Sequence, residues 1–129
     1  MIGSGAYNYI NVLDKALDAS WTRNSVISNN IANVDTPGFK RKDVHFEDYL
    51  RTEVGYTMSL DDEVARADLD SLTATTYTDY ANVSYRIDGN NVDIDTESAE
   101  LAKNQIKYYT MIDSVSQEFS RLKSVLKTQ

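Results

Sequence analysis

Two stripes of apolar and small residues, one at each end of the chain, constrain its fold more than any other feature. In each stripe the residues recur at alternating steps of three and four, the heptad spacing of a helix that packs on another helix. The N-terminal stripe is Ile10, Leu13, Leu17, Ser20, Asn24, Ile27, Ile31 and Val34. The C-terminal stripe is Ile94, Ser98, Leu101, Gln105, Tyr108, Ile112, Val115, Phe119, Leu122 and Leu126.

Helices of this kind need a partner along their length. The stripes predict roughly 26 and 33 helical residues, or rods of about 39 and 50 Å. The expected fold class is mainly α: an antiparallel coiled-coil hairpin of long N- and C-terminal helices with a small irregular or β middle segment. The expected divisions are an N-terminal helix in residues 1–36, a middle segment in 37–93 and a C-terminal helix in 94–129.

Both ends of the first helix carry sequence signals. It is expected to begin near Asn8 or Asn11, because the preceding glycines disfavour a helix and asparagine is a good N-cap. It is expected to stop near Asn33, because Pro37 disfavours the helical conformation in the residue before it. The Pro-Gly pair at residues 37–38 suits the two central positions of a type II turn.

The middle of the chain is acidic and rich in threonine and tyrosine. We expect a short helix or turn over residues 46–52, a mobile acidic stretch around residues 61–70 and weak strand character over residues 73–87. A turn signal at residues 88–91 then leads to Asp95, the expected N-cap of the last helix.

The residues expected to pair the helices, and to support assembly, lie along the two stripes. Apolar residues of the first helix are predicted to face those of the second. They are Leu13, Leu17, Ile27 and Ile31 against Leu101, Tyr108, Ile112, Val115, Phe119, Leu122 and, further along, Leu126. Trp21 lies one place off its stripe, so it either contacts a neighbouring molecule or flanks the core.

Polar residues on a stripe have two structural interpretations. A buried polar side chain can specify one helix register among several at a cost in stability, and we favour this interpretation for Asn24 and Gln105. Asparagine also favours helix ends and turns, so Asn30 and Asn33, at the end of the first stripe, fit both readings.

Reactive side chains are too few to indicate an enzyme or a metal protein. The chain has no cysteine and a single histidine, His45, so thiolate sites and multi-histidine metal sites are excluded. The acidic residues from Asp88 to Glu97 fail the calcium-loop pattern, because glycine falls at the second position and Ala99 at the twelfth. Without a phosphate-binding loop or a nucleophile motif, we expect no cofactor and no catalysis.

The distribution of charge limits the classes of partner that the chain is expected to bind. Residues 1–40 carry no net charge, residues 41–100 carry −10 and residues 101–129 carry +3, which gives −7 overall. A negative field repels phosphate backbones, so nucleic acid is not an expected partner. No apolar run is long enough for a membrane-spanning helix, and the start lacks the pattern of a cleaved secretory signal, so no direct membrane insertion is expected.

Residues 28–40, SNNIANVDTPGFK, resemble the N-terminal signature of bacterial flagellar axial proteins, which include rod, hook and hook-associated subunits. The pattern ends in a turn motif made of Thr36, Pro37, Gly38, Phe39 and Lys40. A second block, residues 88–95 (DGNNVDID) and the residues after it, is similar to the C-terminal block of the small proximal-rod subunits. The length of 129 residues also agrees with those subunits rather than with the larger hook proteins.

The resemblance implies a structural subunit of the flagellar rod. Such a subunit is exported uncleaved by the flagellar type III system and assembles in the basal body, in the cell envelope, into a helical tube that transmits torque. Its implied partners are other copies of itself, other rod proteins, and components of the membrane ring and export gate. The long half-polar helices are expected to be loose in the isolated chain and to fold as neighbours supply surface.

Two other functions stay open at this point. One is a different small rod subunit, which would differ chiefly in its C-terminal block. The other is a soluble helical-hairpin binding module, such as an export chaperone or adaptor, which would be fully helical without forming a polymer. An acid-rich hydrolase is a remote third possibility, because it needs a tightly ordered middle segment.

Overall fold

The computed structural model describes residues 4–55, 59–81 and 86–127. Within these ranges, four helices and two short strands follow one another. They are α1 (Ser4–Ala32), β1 (Lys42–His45), α2 (Glu47–Glu53), α3 (Leu60–Arg66), β2 (Thr75–Thr78) and α4 (Ile94–Lys127). The long helices α1 and α4 have 29 and 34 residues, close to the lengths that the stripes predict.

Helices α1 and α4 pack against each other and run in opposite directions. Asn30, near the end of α1, bonds Glu97 in the first turns of α4, whereas Ser20 bonds Asn104 further along. Partner numbers therefore rise on α4 as they fall on α1, which defines an antiparallel pair. The predicted helical hairpin with a small β-containing middle segment is confirmed.

Both helix starts differ from expectation. Helix α1 begins at Ser4, before Asn8 and Asn11, because one glycine in a helix costs only about 1 kcal/mol, which a long cooperative helix can absorb. Helix α4 begins at Ile94, so Asp95 is inside the first turn and is not the N-cap. Asp93 caps the helix instead: its Oδ1 accepts from the backbone N–H of Asp95 at 3.0 Å, and its Oδ2 accepts from the hydroxyl of Thr96 at 3.0 Å.

The middle segment contains more regular structure than its composition indicates. The short helix expected over residues 46–52 is α2, displaced by one residue. Strands β1 and β2 pair antiparallel with Lys42 opposite Thr78 and His45 opposite Thr75. Strand character is thus limited to four residues of the predicted 73–87, and residues 82–85 of that range lie outside the described residues.

The expectation of a mobile acidic stretch around residues 61–70 is wrong for residues 61–66, which belong to helix α3. The Ser59 side chain caps it by accepting from the N–H of Asp62 at 3.3 Å, and Val64 is buried. Tyr9 of α1 donates to Asp61 at 2.6 Å, and this hydrogen bond raises the pKa of Tyr9 to about 12. One cap and one apolar anchor offset the unfavourable acidic composition.

The main apolar core lies between α1 and the middle segment. Ala19, Phe46 and Leu72 form its centre, with Leu72 only 1% exposed. Val12, Ala16, Leu50, Leu69 and Ala74 surround it. Residues 12, 16 and 19 form a second face of α1, beside the stripe that faces α4. Among the described residues, no helix is long and apolar enough to cross a membrane.

Candidate functional site

The structure brings most of the predicted pairing residues into the hairpin, at different depths. Ile27 and Asn30 are fully buried. A larger group is half-buried: Leu13, Leu17, Asn24, Ile31, Asn33, Leu101, Tyr108, Ile112, Val115 and Leu122. The other four predicted pairing residues are exposed: Trp21, Gln105, Phe119 and Leu126. The two stripes therefore bury their central parts, and the far end of the α4 stripe faces solvent.

The buried polar pair between the helices is Ser20 with Asn104. The Ser20 hydroxyl donates to Asn104 Oδ1 at 2.9 Å, and Asn104 Nδ2 donates to the Ser20 carbonyl at 2.9 Å. Gln105, which the stripe placed at this position, is exposed, so its interpretation as the buried polar residue is wrong. The buried polar residues of α4 are Glu97 and Asn104, seven residues apart, so the buried face in this part of the helix lies one position before Ser98 and Gln105 of the stripe.

A small cavity of about 140 Å³ lies on the same side of the hairpin, lined by Ser20, Trp21, Asn24, Asn104, Gln105, Tyr108 and Tyr109. Asn24 Oδ1 is buried there and accepts no hydrogen bond from the described residues. Trp21 lies at the edge, 63% exposed, with its ring 6.4 Å from that of Tyr108. A buried acceptor beside an exposed tryptophan is typical of a contact surface.

The turn motif has the geometry that its sequence predicts. The N–H of Phe39 donates to the carbonyl of Thr36 at 3.2 Å across Pro37 and Gly38. Gly38 has a φ of 71°, in the left-handed region that a type II turn requires at its third residue. Thr36, Pro37 and Gly38 are exposed, whereas Phe39 and Lys40 are half-buried.

Residues 88–91, which are distant from this turn in the sequence, form hydrogen bonds with it. The Gly38 N–H donates to the Asp88 carbonyl at 2.8 Å, and Lys40 Nζ donates to the Gly89 carbonyl at 2.6 Å. Asn90, 1% exposed, directs its Nδ2 to the carbonyls of Asn33, Val34 and Thr36, each at 2.9 Å. The two sequence blocks that carry the resemblance, residues 28–40 and 88–95, are therefore joined by hydrogen bonds.

A buried charged group completes the contact. Asn30 Nδ2 donates to Glu97 Oε2 at 2.9 Å and to the Lys42 carbonyl at 2.8 Å. Arg41 Nε donates to Glu97 Oε1 at 2.8 Å, and its other nitrogens reach Asp79 and Asp43. Burial opposes the charge on Arg41, but the hydrogen bonds to Glu97 and Asp79 outweigh it and raise its pKa.

We call this set of residues the polar junction: Asn30, Asn33, residues 36–41, residues 88–91 and Glu97. Its groups bond one another, so its evident role is to fix the end of α1 against the start of α4. Sequence analysis assigned residues 88–97 to a turn and a helix start, and it missed Arg41, Asn90 and Glu97 as a buried cluster. Within the described ranges, no three His, Cys, Asp or Glu side chains are placed to hold a metal ion.

Comparison with known proteins agrees with this architecture. The family model described as "Flagella basal body rod protein" matches residues 10–40, which end in the turn motif. A flagellar basal body rod protein FlgB from Bacillus subtilis (strain 168) is 39% identical over 88% of this chain and 89% of the relative. FlgB from Borreliella burgdorferi is 35% identical over 86% of the chain and 90% of the relative. FlgB from Escherichia coli (strain K12) is 29% identical over 88% and 89%.

The relatives that are 39% and 35% identical over most of the chain, together with the family model on its N-terminal motif, place the chain in the class of flagellar basal body rod proteins. The relatives that span nearly the whole chain carry one name among the flagellar rod subunits. The chain belongs to the FlgB family of flagellar basal body rod proteins.

Proposed function

We propose that this chain is a non-enzymatic structural subunit of the flagellar rod, located in the basal body on the periplasmic side of the envelope. It is exported by the flagellar type III system and assembles into a helical tube that transmits torque. The observation that carries this proposal is the polar junction, where the family's N-terminal motif and the block at residues 88–91 bond each other.

The proposed assembly surface is the hairpin itself. Its partners are other copies of the chain, other rod proteins, and the membrane-ring and export-gate components at the rod base. Trp21 and the cavity around Asn24 support a role in a neighbour contact, because exposed tryptophans are enriched at binding hot spots. Contacts of this kind between identical units generate an open helical array when the rotation does not close.

In this proposal the turn motif sets the direction in which the chain leaves the hairpin. Type II turns need a left-handed third residue, and Gly38 supplies it without strain. The polar junction then holds that direction from both sides. Several apolar residues of the hairpin are exposed, so in this proposal the isolated chain is folded but of low stability, export unfolds it readily, and neighbours complete its burial in the rod.

The proposal is tested by purifying hook and basal-body complexes from the source organism and searching them for peptides of this chain by mass spectrometry. We expect the peptides to persist after peripheral proteins are stripped, in proportion to other rod subunits. Their absence from otherwise complete basal bodies would contradict the proposal and favour the soluble hairpin module.

Charged substitutions on the stripes test the hairpin as the assembly element. Leu17→Asp and Ile112→Asp each place a carboxylate in the half-buried helix seam, which costs several kcal/mol unless it is solvated. We expect either variant to abolish rod assembly and motility in cells. Tyr80→Asp, at a side chain that is 76% exposed, is the matched control and is expected to assemble. Normal rods from Leu17→Asp or Ile112→Asp would refute the proposal that pairing of the two stripes is needed for assembly.

A further inference from the structure

The last turns of α4 extend beyond the helix against which α4 packs. The pairs Asn30–Glu97 and Ser20–Asn104 set the antiparallel register. Carrying this register along the hairpin places Ser4, the first described residue of α1, roughly opposite Arg121. Residues 122–127 of α4 therefore run past the described part of α1.

This end of α4, residues 119–127, is apolar on one side and basic on the other. Phe119, Val125 and Leu126 are 54%, 52% and 78% exposed. Its charged residues are Arg121, Lys123 and Lys127, with no acidic residue among them. Arg121 pairs with Glu118 of the same helix at 2.8 Å, and Lys123 and Lys127 are exposed. An amphipathic helix end with several exposed large apolar side chains loses free energy in water, and burial against another surface recovers it.

A groove of about 770 Å³ lies elsewhere on the chain, between α1, α2 and α3 and the part of α4 near Ser114. Its apolar lining consists of Val12, Leu13, Leu50, Val54, Leu60 and Val64. Leu60 is 56% exposed on its rim. The groove also contains the carboxylates of Glu47, Glu63 and Glu118 and the guanidinium of Arg51, and the first turn of α3 adds Asp61 and Asp62, so acidic residues are in excess. Glu47 is paired with Arg23 and Lys107.

We propose that this groove binds the end of α4, residues 119–127, from a second copy of the chain. The two surfaces complement each other, because an apolar lining with acidic residues meets an apolar helix end with three basic residues. The groove's own α4 contributes Glu118, and residues 119–127 follow it within the same continuous helix, so they do not fold back into the groove. The occupant therefore comes from another molecule.

This contact joins two different surfaces, so it is heterologous, and a pair of copies retains one free helix end and one free groove. Contacts of that type extend into an open chain of subunits rather than a closed dimer. The inference rests on the proposed rod function and deepens it, since it names the two surfaces that would connect successive copies.

Disulfide trapping tests the contact, because the chain contains no cysteine. Leu60→Cys and Leu126→Cys each introduce one thiol at an exposed position, and circular dichroism checks that each variant folds. The two purified variants are mixed under mild oxidation. We expect a covalent dimer in the mixture and little dimer in either variant alone. Rising salt is expected to lower the yield, because charges attract the two surfaces.

Ile106→Cys is the matched control, since Ile106 is a 69% exposed apolar residue on α4 outside both surfaces. Equal cross-linking of Leu60→Cys with Ile106→Cys and with Leu126→Cys would overturn the proposal. So would self-dimers of Leu126→Cys that exceed the mixed dimer. In isolated basal bodies, cross-linking of Leu60→Cys only to a different protein would also overturn it. The rod function would stand in each case if the chain's peptides are present in the basal bodies.

Discussion

At the scale of single residues, the buried polar side chains of the junction form hydrogen bonds with one another and with the backbone. Asn30 has no exposed surface, and its amide bonds both the N–H and the carbonyl of Lys42 as well as Glu97. A buried polar group costs little when it is paired and much when its partner is lost. The junction is therefore stable as a whole and sensitive to the loss of any one member.

Asn30→Ala tests this dependence. The substitution leaves Glu97 and both backbone groups of Lys42 without that partner, so we expect a loss of about 3 kcal/mol in the free energy of unfolding. Urea denaturation of the purified chain measures it. Asn29→Ala, at the adjacent exposed position, is the control and is expected to change stability by less than about 0.5 kcal/mol. A similar effect from both variants would contradict the paired role of Asn30.

Glu47 makes stability depend on acid. Its carboxylate accepts hydrogen bonds from Arg23, which lowers its pKa from 4.5 to about 2. A lowered pKa in the folded state stabilises the fold above pH 4.5, and that contribution disappears as the pH falls toward 2. Because side-chain exposure of Glu47 is 44%, solvent screening keeps the effect modest.

Glu47→Gln removes this titration. We expect the wild-type chain to exceed the variant in stability above pH 4.5, and the difference to shrink steadily toward pH 2. Urea unfolding at a series of pH values gives the difference, with Asp48→Asn as the control for losing a carboxylate from the same helix. A difference that stays constant between pH 4.5 and pH 2 would refute the Arg23–Glu47 explanation.

At the scale of elements, α1 works as a helix with two packing faces. One face meets α4 through the central stripe, and the other, at Ala16 and Ala19, meets the middle segment. The pair Ser20–Asn104 lies at the α4 side and has hydrogen bonds in both directions. A reciprocal pair of this kind is satisfied in one register only, so it specifies how α1 and α4 align.

A double-mutant cycle on Ser20→Ala and Asn104→Ala measures that coupling. The two side chains share their hydrogen bonds, so we expect a coupling energy of about 1 kcal/mol in the free energy of unfolding. Gln105→Ala replaces Asn104→Ala in the control cycle, and a coupling near zero with Ser20→Ala is expected. Additive effects of Ser20→Ala and Asn104→Ala would show that the pair does not set the register.

At the scale of the whole molecule, the hairpin and the middle segment share one core. Phe46 and Leu72 of the middle segment pack on Ala19 of α1. The hydrogen bond from Tyr9 to Asp61 adds a second contact, between α1 and α3. Elements that share a buried core unfold together rather than one by one, so the middle segment contributes to the order of the hairpin.

Leu72→Ala probes this cooperation. Leu72 is 1% exposed, so the truncation leaves a cavity and is expected to cost about 3 kcal/mol. Hydrogen exchange is expected to show lower protection in both the middle segment and α1. Leu60→Ala, at a 56% exposed position, is the control. If protection falls in the middle segment alone, the two parts have separate stabilities.

The two long helices, the turn at residues 36–40 and the family are predictable from the sequence, because they depend on local spacing and on residues adjacent in the chain. The burial of Asn104 rather than Gln105, the order of α3, and the junction of Asn30, Arg41, Asn90 and Glu97 became visible only in the folded chain. Those outcomes depend on contacts between residues tens of positions apart. The pattern along one helix does not specify which side chain from a distant segment satisfies a buried polar group.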